Sequence, residues 1–424
     1  MTFDTSFQHV IITLLLTVFF LALAAVSSLT RAGTQRQKLK VRLPLAVALA
    51  AVYWLVAPYI DISMTPEMFT QHLFNALALG ALYGLIAIGY TMVYGILRLI
   101  NFAHGDIFML GAYLVFFTTV VFMPAWAASL LVLLAVLVFF SAFRGFKQRP
   151  PLWFWASMLF FTALTVYYAF FAPQSFTPPW ALAVAFAIMV TSAIGISVDR
   201  VAYRPLRDAP RISALISAIG VSFLLENLGV VIFTGLPRPV VQPEALVTPL
   251  IFSMSWLTDS VESAVRVVPM ALIVPTVSFV LVMALLWIIY RTKPGLAMRS
   301  ISTDIETTRL MGVSVNKVIA MTFGLGSALA AAAGIMWALR YPQVHPYMGM
   351  IPGFKAFIAA VFGGIGSIQG AMIGGLLLGF IEIFIVAFFP ELSGYRDAFA
   401  FILLIVILLW KPTGLMGEKL EEKI

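Results

Sequence analysis

The chain has 424 residues, of which 62% are hydrophobic and 10% are charged, whereas soluble domains have about 25% charged residues. The mean hydropathy of +1.02 and recurrent apolar runs of about 20 residues predict an all-α polytopic transmembrane helical bundle. The net charge of +8 does not indicate a nucleic-acid partner, because the basic residues lie in short loops beside apolar runs. The absence of cysteine excludes disulfides, thiol catalysis and thiolate metal sites.

The apolar runs predict about 12 to 13 membrane crossings. The run at 353–389 is too long for one span, so we expect a broken or re-entrant segment with its break near Gly363, Gly364 and Gly366. One long tilted helix is the alternative. In chain order, the predicted spans are 10–29, 43–60, 73–97, 106–123, 126–143, 152–171, 180–198, 212–234, 267–290, 318–339, 353–389 and 397–410.

Basic residues are distributed unevenly among the connections between these spans. Of the 26 Lys and Arg residues, 21 lie in alternate connections, among them 30–42, 199–211 and 291–317. By the positive-inside rule these connections are cytoplasmic, which places the N-terminus outside and the C-terminus in the cytoplasm. No basic residue precedes the first apolar run, so we expect a retained span rather than a signal peptide.

Residues 291–317 form a polar island between two apolar stretches, which predicts a segment held outside the bilayer. The spacing of Thr303 and Glu306 fits a capping box for a helix of about two turns. Asp304 and Glu306 would lie at the positive end of its dipole and Arg309 near the negative end. Gly312 could adopt the left-handed conformation that closes such a helix. We expect this helix to dock on a partner.

Polar residues within or between spans are candidates for a transport pathway or for structural hydrogen bonds. Residues 98–106 form either a cytoplasmic turn or a segment that dips into the protein, and Asn101 is expected to cap the helix that follows. The acids within the spans lack evident basic partners in the sequence. The candidates are Asn75, Asn101, His104, Asp106, Glu226, Asn227, Gly363, Gly364, Gly366 and Glu382.

Small residues recur at helix-packing spacing, as in Gly80 with Gly84 and Gly375 with Gly379. In lipid such faces let two helix backbones approach closely. We expect close packing at these positions rather than a translocation groove.

The sequence does not indicate an enzyme. No Gly-Lys dipeptide is present, so there is no phosphate-binding P-loop. The four histidines match no zinc spacing, and no nucleophile lies near a suitable base. We therefore expect no metal and no cofactor on this chain, and any ATP would be hydrolysed by partner subunits.

Several segments resemble the LivH-type permeases, the membrane subunits of ABC importers for branched-chain amino acids. The resemblance is carried by NALALGALYGLIAIGYTMVYGILRLINFAHGDIFMLGAY at 75–113, VDRVAYRPLRDAPRISALISAIGVSFLLEN at 198–227, GFKAFIAAVFGGIGSIQGAMIGGLLLGFIE at 353–382 and KPTGLMG at 411–417. It implies a LivM-like second permease, two cytoplasmic ABC ATPase subunits, an external substrate-binding protein and a location in the bacterial cytoplasmic (inner) membrane.

The resemblance also implies a role for the polar island. It corresponds to the coupling loop of ABC importers, with Glu306 and Gly312 at the motif's acidic residue and glycine. Thr307 and Thr308 replace the usual alanines. The expected docking role therefore rests more on the position of the loop than on a match to the motif's residues.

The resemblance divides the chain into parts. A two-span extension (1–66) precedes the first part of the permease core (67–123), and an inserted hairpin (124–179) precedes the rest of the core (180–417) and a cytoplasmic tail (418–424). We expect the two additions at the periphery of the bundle, although they could bind an accessory subunit.

Three hypotheses for the function follow. The first is an ABC importer permease for branched-chain or similar amino acids. The alternative is a stand-alone secondary transporter or channel for a small polar solute such as urea or an amide, with Glu226, Glu382 or Asp106 as a relay. The third, an intramembrane enzyme, lacks a catalytic constellation.

Overall fold

The computed structural model describes residues 65–119, 125–143, 180–207, 209–253, 264–411 and 413–417, with a few positions between 155 and 166. Most of these residues are helical, and six described helices are long and apolar enough to cross a membrane. The all-α transmembrane class is confirmed. The predicted spans 10–29 and 43–60 and the tail 418–424 lie outside the described residues.

The first half of the described chain begins with the longest helix, α1. Thr65 caps α1 through its hydroxyl, which accepts from the backbone N–H of Met68, and Pro66 occupies the first turn, where no N–H is needed. A π-helical turn, Asp199–Tyr203, extends α4. The helices are α1 Pro66–Leu97, α2 His104–Thr119, α3 Ala125–Phe143, α4 Trp180–Val198 and α5 Arg211–Phe233.

The second half contains the polar island and the predicted break. Two 3-10 turns, Arg204–Leu206 and Pro390–Tyr395, precede α5 and α13. The helices are α6 Glu244–Val247, α7 Met270–Arg291, α8 Lys293–Thr303, α9 Ile305–Leu310, α10 Val315–Arg340, α11 Met350–Gly363, α12 Ile368–Phe388 and α13 Arg396–Trp410.

Two small antiparallel sheets lie in the connections. Strand β1, Arg238–Pro239, pairs with β4, Gln343–Val344, so that the connection after α5 is tied to the one after α10. Strand β2, Leu250–Ser253, pairs with β3, Ala264–Val267. Each sheet has two strands only, and neither changes the fold class.

α1 and α10 form the centre of the bundle, because 94% and 83% of their apolar 18-residue segments are buried. Only 11% of the apolar segment of α5 is buried, so most side chains of α5 lie on the surface of this chain. α1 and α12 pack at small residues, as the spacing predicted: a Cβ placed on Gly80 would lie 2.7 Å from Leu376 Cα.

The break in the last long apolar run is confirmed. α11 ends at Gly363 and α12 begins at Ile368, with Gly364 and Gly366 between them at φ +108° and +99°. Backbone freed inside a membrane must find partners within the protein. Here Leu415 N–H donates to Phe362 O at 2.9 Å and Met416 N–H to Gly363 O at 2.8 Å, so the segment after α13 closes the end of α11.

We predict that Gly80→Ala destabilises the bundle, because the added methyl group has no space against α12. Overpacking of this kind costs about 1–3 kcal/mol. The measurement is the thermal-unfolding midpoint of the purified chain in detergent, which should fall.

Gly220→Ala is the matched control, because nothing lies within 4 Å of a Cβ at this helical position. It should leave the midpoint unchanged or raise it, since alanine favours a helix by about 0.5–1 kcal/mol over glycine. Equal midpoints for both variants would contradict the packing argument.

Candidate functional site

Two helices begin in the interior of the bundle rather than at its edge. A Cβ on Gly105, in the first turn of α2, would lie 2.6 Å from the carbonyl oxygen of Gly349, which precedes α11. A Cβ on Gly326, near the middle of α10, would lie 3.9 Å from His104 Cε1. Since α10 spans the bundle, the start of α2 lies near half of its depth.

The segment before α2 therefore dips into the protein, which decides between the two expectations for residues 98–106. Asn101, His104 and Asp106 are each at most 2% exposed. The expected cap by Asn101 is wrong: its side-chain oxygen accepts a hydrogen bond from the Tyr203 hydroxyl at 2.6 Å. The reason is that Tyr203, in the π-helical turn after α4, reaches this amide through the core. The ring of His104 packs edge-on against Tyr90, 4.8 Å between centroids.

A small cleft opens where α1, α2, α5 and α11 meet. Its lining includes the polar side chains of Asp106, Ser222 and Glu226. The Ser222 hydroxyl donates to Asp106 Oδ2 at 2.5 Å, which links α5 to α2. Apolar side chains of Phe102, Met350 and Phe354 also line the cleft. Ser222 lies at the middle of α5, so the cleft lies at half of the bundle's depth.

Two of the predicted candidates, Asn227 and Asn75, lie outside the cleft and make structural hydrogen bonds. The amide of Asn227 donates to Phe223 O, one turn earlier on α5, at 2.7 Å. Asn75 Oδ1 accepts from an Arg340 guanidinium nitrogen at 2.9 Å, which ties α1 to the end of α10.

Glu382 belongs to a buried charge network, and the expectation that the acids within the spans lack basic partners is wrong for this residue. Its Oε1 lies 2.8 Å from Lys355 Nζ and 2.9 Å from Arg396 Nε. Its Oε2 accepts from the Tyr83 hydroxyl at 3.0 Å, and Lys355 also pairs with Asp397 at 2.6 Å. The network joins α1, α11, α12 and α13, and its two bases and two acids cancel in charge.

The three glycines of the break do not line the cleft. Gly364 packs against Gly417, and a Cβ on Gly363 would meet the carbonyl group of Gly370. Gly366 has open space around it and a positive φ that suits a turn. Their positions explain the break between α11 and α12.

The polar island contains two helices, α8 and α9, where the sequence predicted one. The predicted capping residue is wrong: Thr303 ends α8, and Asp304 caps α9, with Oδ1 accepting from Glu306 N–H at 3.0 Å and Thr307 N–H at 3.3 Å. Gly312 has the predicted positive φ, +82°. Arg309 lies in the last turn of α9.

The sequence analysis did not predict α8, although Thr292 and Pro294 form a capped helix start.

Sequence reasoning also missed the most exposed large apolar side chains of the island. Leu310 and Met311, at the end of α9, are 86% and 80% exposed. Two adjacent apolar side chains that protrude from a polar segment mark a contact surface. The signal in the sequence is a pair of adjacent large apolar residues, Leu310 and Met311, just before the turn at Gly312.

The arrangement suits the binding and movement of a solute. Among the described residues, no group of three His, Cys, Asp or Glu residues could hold a metal ion. The interior offers a small cleft with polar and apolar lining residues, within a bundle of helices that are long and apolar enough to cross a membrane. These features suit a membrane transport protein.

The chain belongs to the family described as branched-chain amino acid transport system, permease component, whose model matches residues 72–408. It is 37% identical over 357 residues to the permease protein LivH of the high-affinity branched-chain amino acid transport system of Salmonella typhimurium, covering 84% of this chain and 98% of that protein. It is 38% identical over 361 residues to the corresponding protein BraD of Pseudomonas aeruginosa, covering 85% of this chain and 100% of BraD.

A more distant likeness, 26% over 190 residues, is to the autoinducer 2 import system permease protein LsrC of Yersinia pestis, covering 42% of this chain and 48% of LsrC. No solved structure matches the chain. The relatives are transport permeases and not enzymes, and they favour the importer hypothesis over the stand-alone carrier.

We predict that Lys355→Met is destabilising, because Glu382 then keeps only the half-exposed Arg396 as a basic partner among the described residues. Removal of the sole partner of a buried charge costs about 3–5 kcal/mol, and the loss here should be smaller because Arg396 remains. Adding Glu382→Gln to the same chain should recover part of the loss, with a coupling of at least about 1 kcal/mol in a double-mutant cycle. The measurement is the free energy of unfolding in detergent.

Lys317→Met, which removes an exposed lysine, serves as the control and should change the free energy of unfolding by less than about 0.5 kcal/mol. Strict additivity of the two buried substitutions would show that the network does not act as a unit.

Proposed function

We propose that this chain is a permease subunit of an ABC importer that carries branched-chain amino acids across the bacterial cytoplasmic (inner) membrane. The observation that carries the proposal is the family match over residues 72–408, together with relatives aligned over nearly their whole length. The N-terminus would lie outside and the C-terminus in the cytoplasm, because the basic residues concentrate in alternate connections.

A LivM-like permease would complete the pathway. α5 is the least buried of the long helices, and it carries the half-buried Glu226 beside exposed Phe223 and Leu224. A carboxylate near the middle of a helix is costly against lipid, about 2.5–3.5 kcal/mol on insertion scales. A protein partner on this face removes that cost and covers the open side of the cleft.

Two ATPase subunits would bind the inner face of the permease pair, and one of them would dock on α9. The helix is anchored at its start by the Asp304 cap and at its end by the turn at Gly312, and Glu306, Leu310 and Met311 face outward. Closure of an ATPase dimer would then move α9 together with α8. Net transport requires that the inward-open and outward-open states differ in affinity for substrate or partner. An external binding protein would deliver the substrate.

The experiment is uptake of radiolabelled L-leucine into membrane vesicles that contain the assembled transporter. ATP-dependent accumulation is expected, and a protonophore should not abolish it. The chain alone in liposomes should move no leucine uphill. Accumulation by the isolated chain, driven by a proton gradient, would establish the stand-alone carrier instead.

We predict that the double substitution Leu310→Ser with Met311→Ser weakens docking of the ATPase subunits. Loss of two exposed apolar anchors should reduce co-purification of the ATPase at least about tenfold, equivalent to about 1.4 kcal/mol. The unfolding midpoint of the chain should not change, because both side chains are solvated in the free subunit.

Leu236→Ser is the control, because Leu236 is 73% exposed in the connection after α5, far along the chain from the island. It should leave co-purification intact. ATPase recovery at the normal level from the double variant would place the docking surface elsewhere.

A further inference from the structure

The buried acids of the described bundle fall into two kinds. Asp199 pairs with Arg207 at 2.6 Å, and Glu382 pairs with Lys355 and Arg396. Asp106 is equally buried, at 2% exposure, yet no basic side chain of the described residues lies within ion-pair distance. Its side-chain partner is the neutral hydroxyl of Ser222. Asp106 lies in the first turn of α2, where the positive end of the helix dipole offsets part of the cost of a buried carboxylate, and a cation in the cleft would offset the rest.

The unpaired charge lies in the wall of the cleft. Glu226, one helical turn beyond Ser222 on α5, lines the same space and likewise has no basic side chain within ion-pair distance among the described residues. Two carboxylates therefore line one cleft, at half of the bundle's depth, and no basic side chain of the described residues pairs with either of them. The two acids differ in burial, since Asp106 is enclosed and Glu226 is half-buried.

The same cleft also offers a surface for the other part of a small ligand. Phe102, Met350 and Phe354 supply apolar side chains to its lining, and these would contact a short branched side chain without strict geometry. The cleft thus combines two carboxylates with an apolar surface.

We propose that this cleft is a binding site for a primary ammonium group attached to a short branched apolar chain, with Asp106 as its counter-ion and Glu226 as a second acceptor. The ammonium would lie between the two carboxylates and the Ser222 hydroxyl, and the apolar chain would lie against Met350 and Phe354. The site rests on the proposed import of branched-chain amino acids and adds that the permease itself, besides any external binding protein, recognises the amino group.

The test uses the absence of cysteine from the chain. Met350→Cys places one thiol in the apolar lining of the cleft, where the native side chain is 49% exposed. Alkylation of this thiol by N-ethylmaleimide is followed in membrane vesicles without ATP. L-leucine and 3-methylbutylamine, which lacks the carboxylate, should each slow the reaction at least fivefold. 4-Methylpentanoate, which lacks the amino group, should not.

Asp106→Asn in the Met350→Cys chain removes the charge and keeps the side-chain shape. The leucine concentration that gives half-protection should rise at least tenfold, and Glu226→Gln should raise it by a smaller factor. The alkylation rate without ligand reports whether each variant keeps the cleft. Glu244→Gln, which neutralises an exposed acid in α6, should change neither quantity. Leu236→Cys, whose native side chain is 73% exposed in the connection after α5, is the reporter that no ligand should protect.

Several outcomes would overturn the site. Equal protection by 4-methylpentanoate and 3-methylbutylamine would remove the role of the ammonium group, and unchanged protection in Asp106→Asn would remove the counter-ion. Protection by sodium chloride as strong as that by leucine would assign the carboxylates to an inorganic cation. Leucine uptake by the assembled transporter without leucine protection of Met350→Cys would refute this site while the proposed function stands.

Discussion

A helix that begins inside a membrane must have its first turn covered by protein, since no water is present to satisfy the backbone. In this chain the starts of α2 and α11 cover each other. Gly105 and Gly349 lie so close that a Cβ on either would collide with the other's carbonyl group. The contact holds two interrupted helices at half of the bundle's depth, and the space left beside their ends is the cleft. Larger residues at these positions would separate the two starts and expose the backbone.

The charged side chains inside the bundle fall into two groups, the network around Glu382 and the acids at the cleft. The paired group around Glu382 joins α1, α11, α12 and α13 on one side of α11, and its charges cancel. Asp106, on the cleft side, is held by Ser222 alone among side chains of the described residues. Paired charges can hold helices in place without a ligand, whereas an unpaired carboxylate changes its energy when a cation arrives. α11 lies between the two groups, so one short helix belongs both to the rigid network and to the cleft.

Periodicity and composition predicted the class, the break in the last apolar run and the positive φ of Gly312, because these depend on local residues. The α9 cap was misplaced by one residue because Thr303 and Asp304 are both good caps, and the choice depends on where α8 ends. The partners of Glu382 were missed because Lys355 is 27 positions away in the chain, and only the folding of α11 against α12 brings it to 2.8 Å. The cleft joins Asp106 to Ser222, residues 116 positions apart, and no local pattern encodes such a contact.

The polar island is connected to the cleft by a short physical link. α8 contacts the end of α1 through Arg98, whose guanidinium lies 3.5 Å from Ser302 O. The segment after Arg98 contains Phe102, which lines the cleft. Other contacts of the island lead elsewhere: Asn316, in the first turn of α10, binds Arg207, which pairs with Asp199 at the end of α4, each at 2.6 Å. Contact alone does not establish coupling; a two-state element must be biased from both ends. The segment between α1 and α2 fits that role, because its backbone is non-helical over most of its length and it bears on the island at one end and on the cleft at the other.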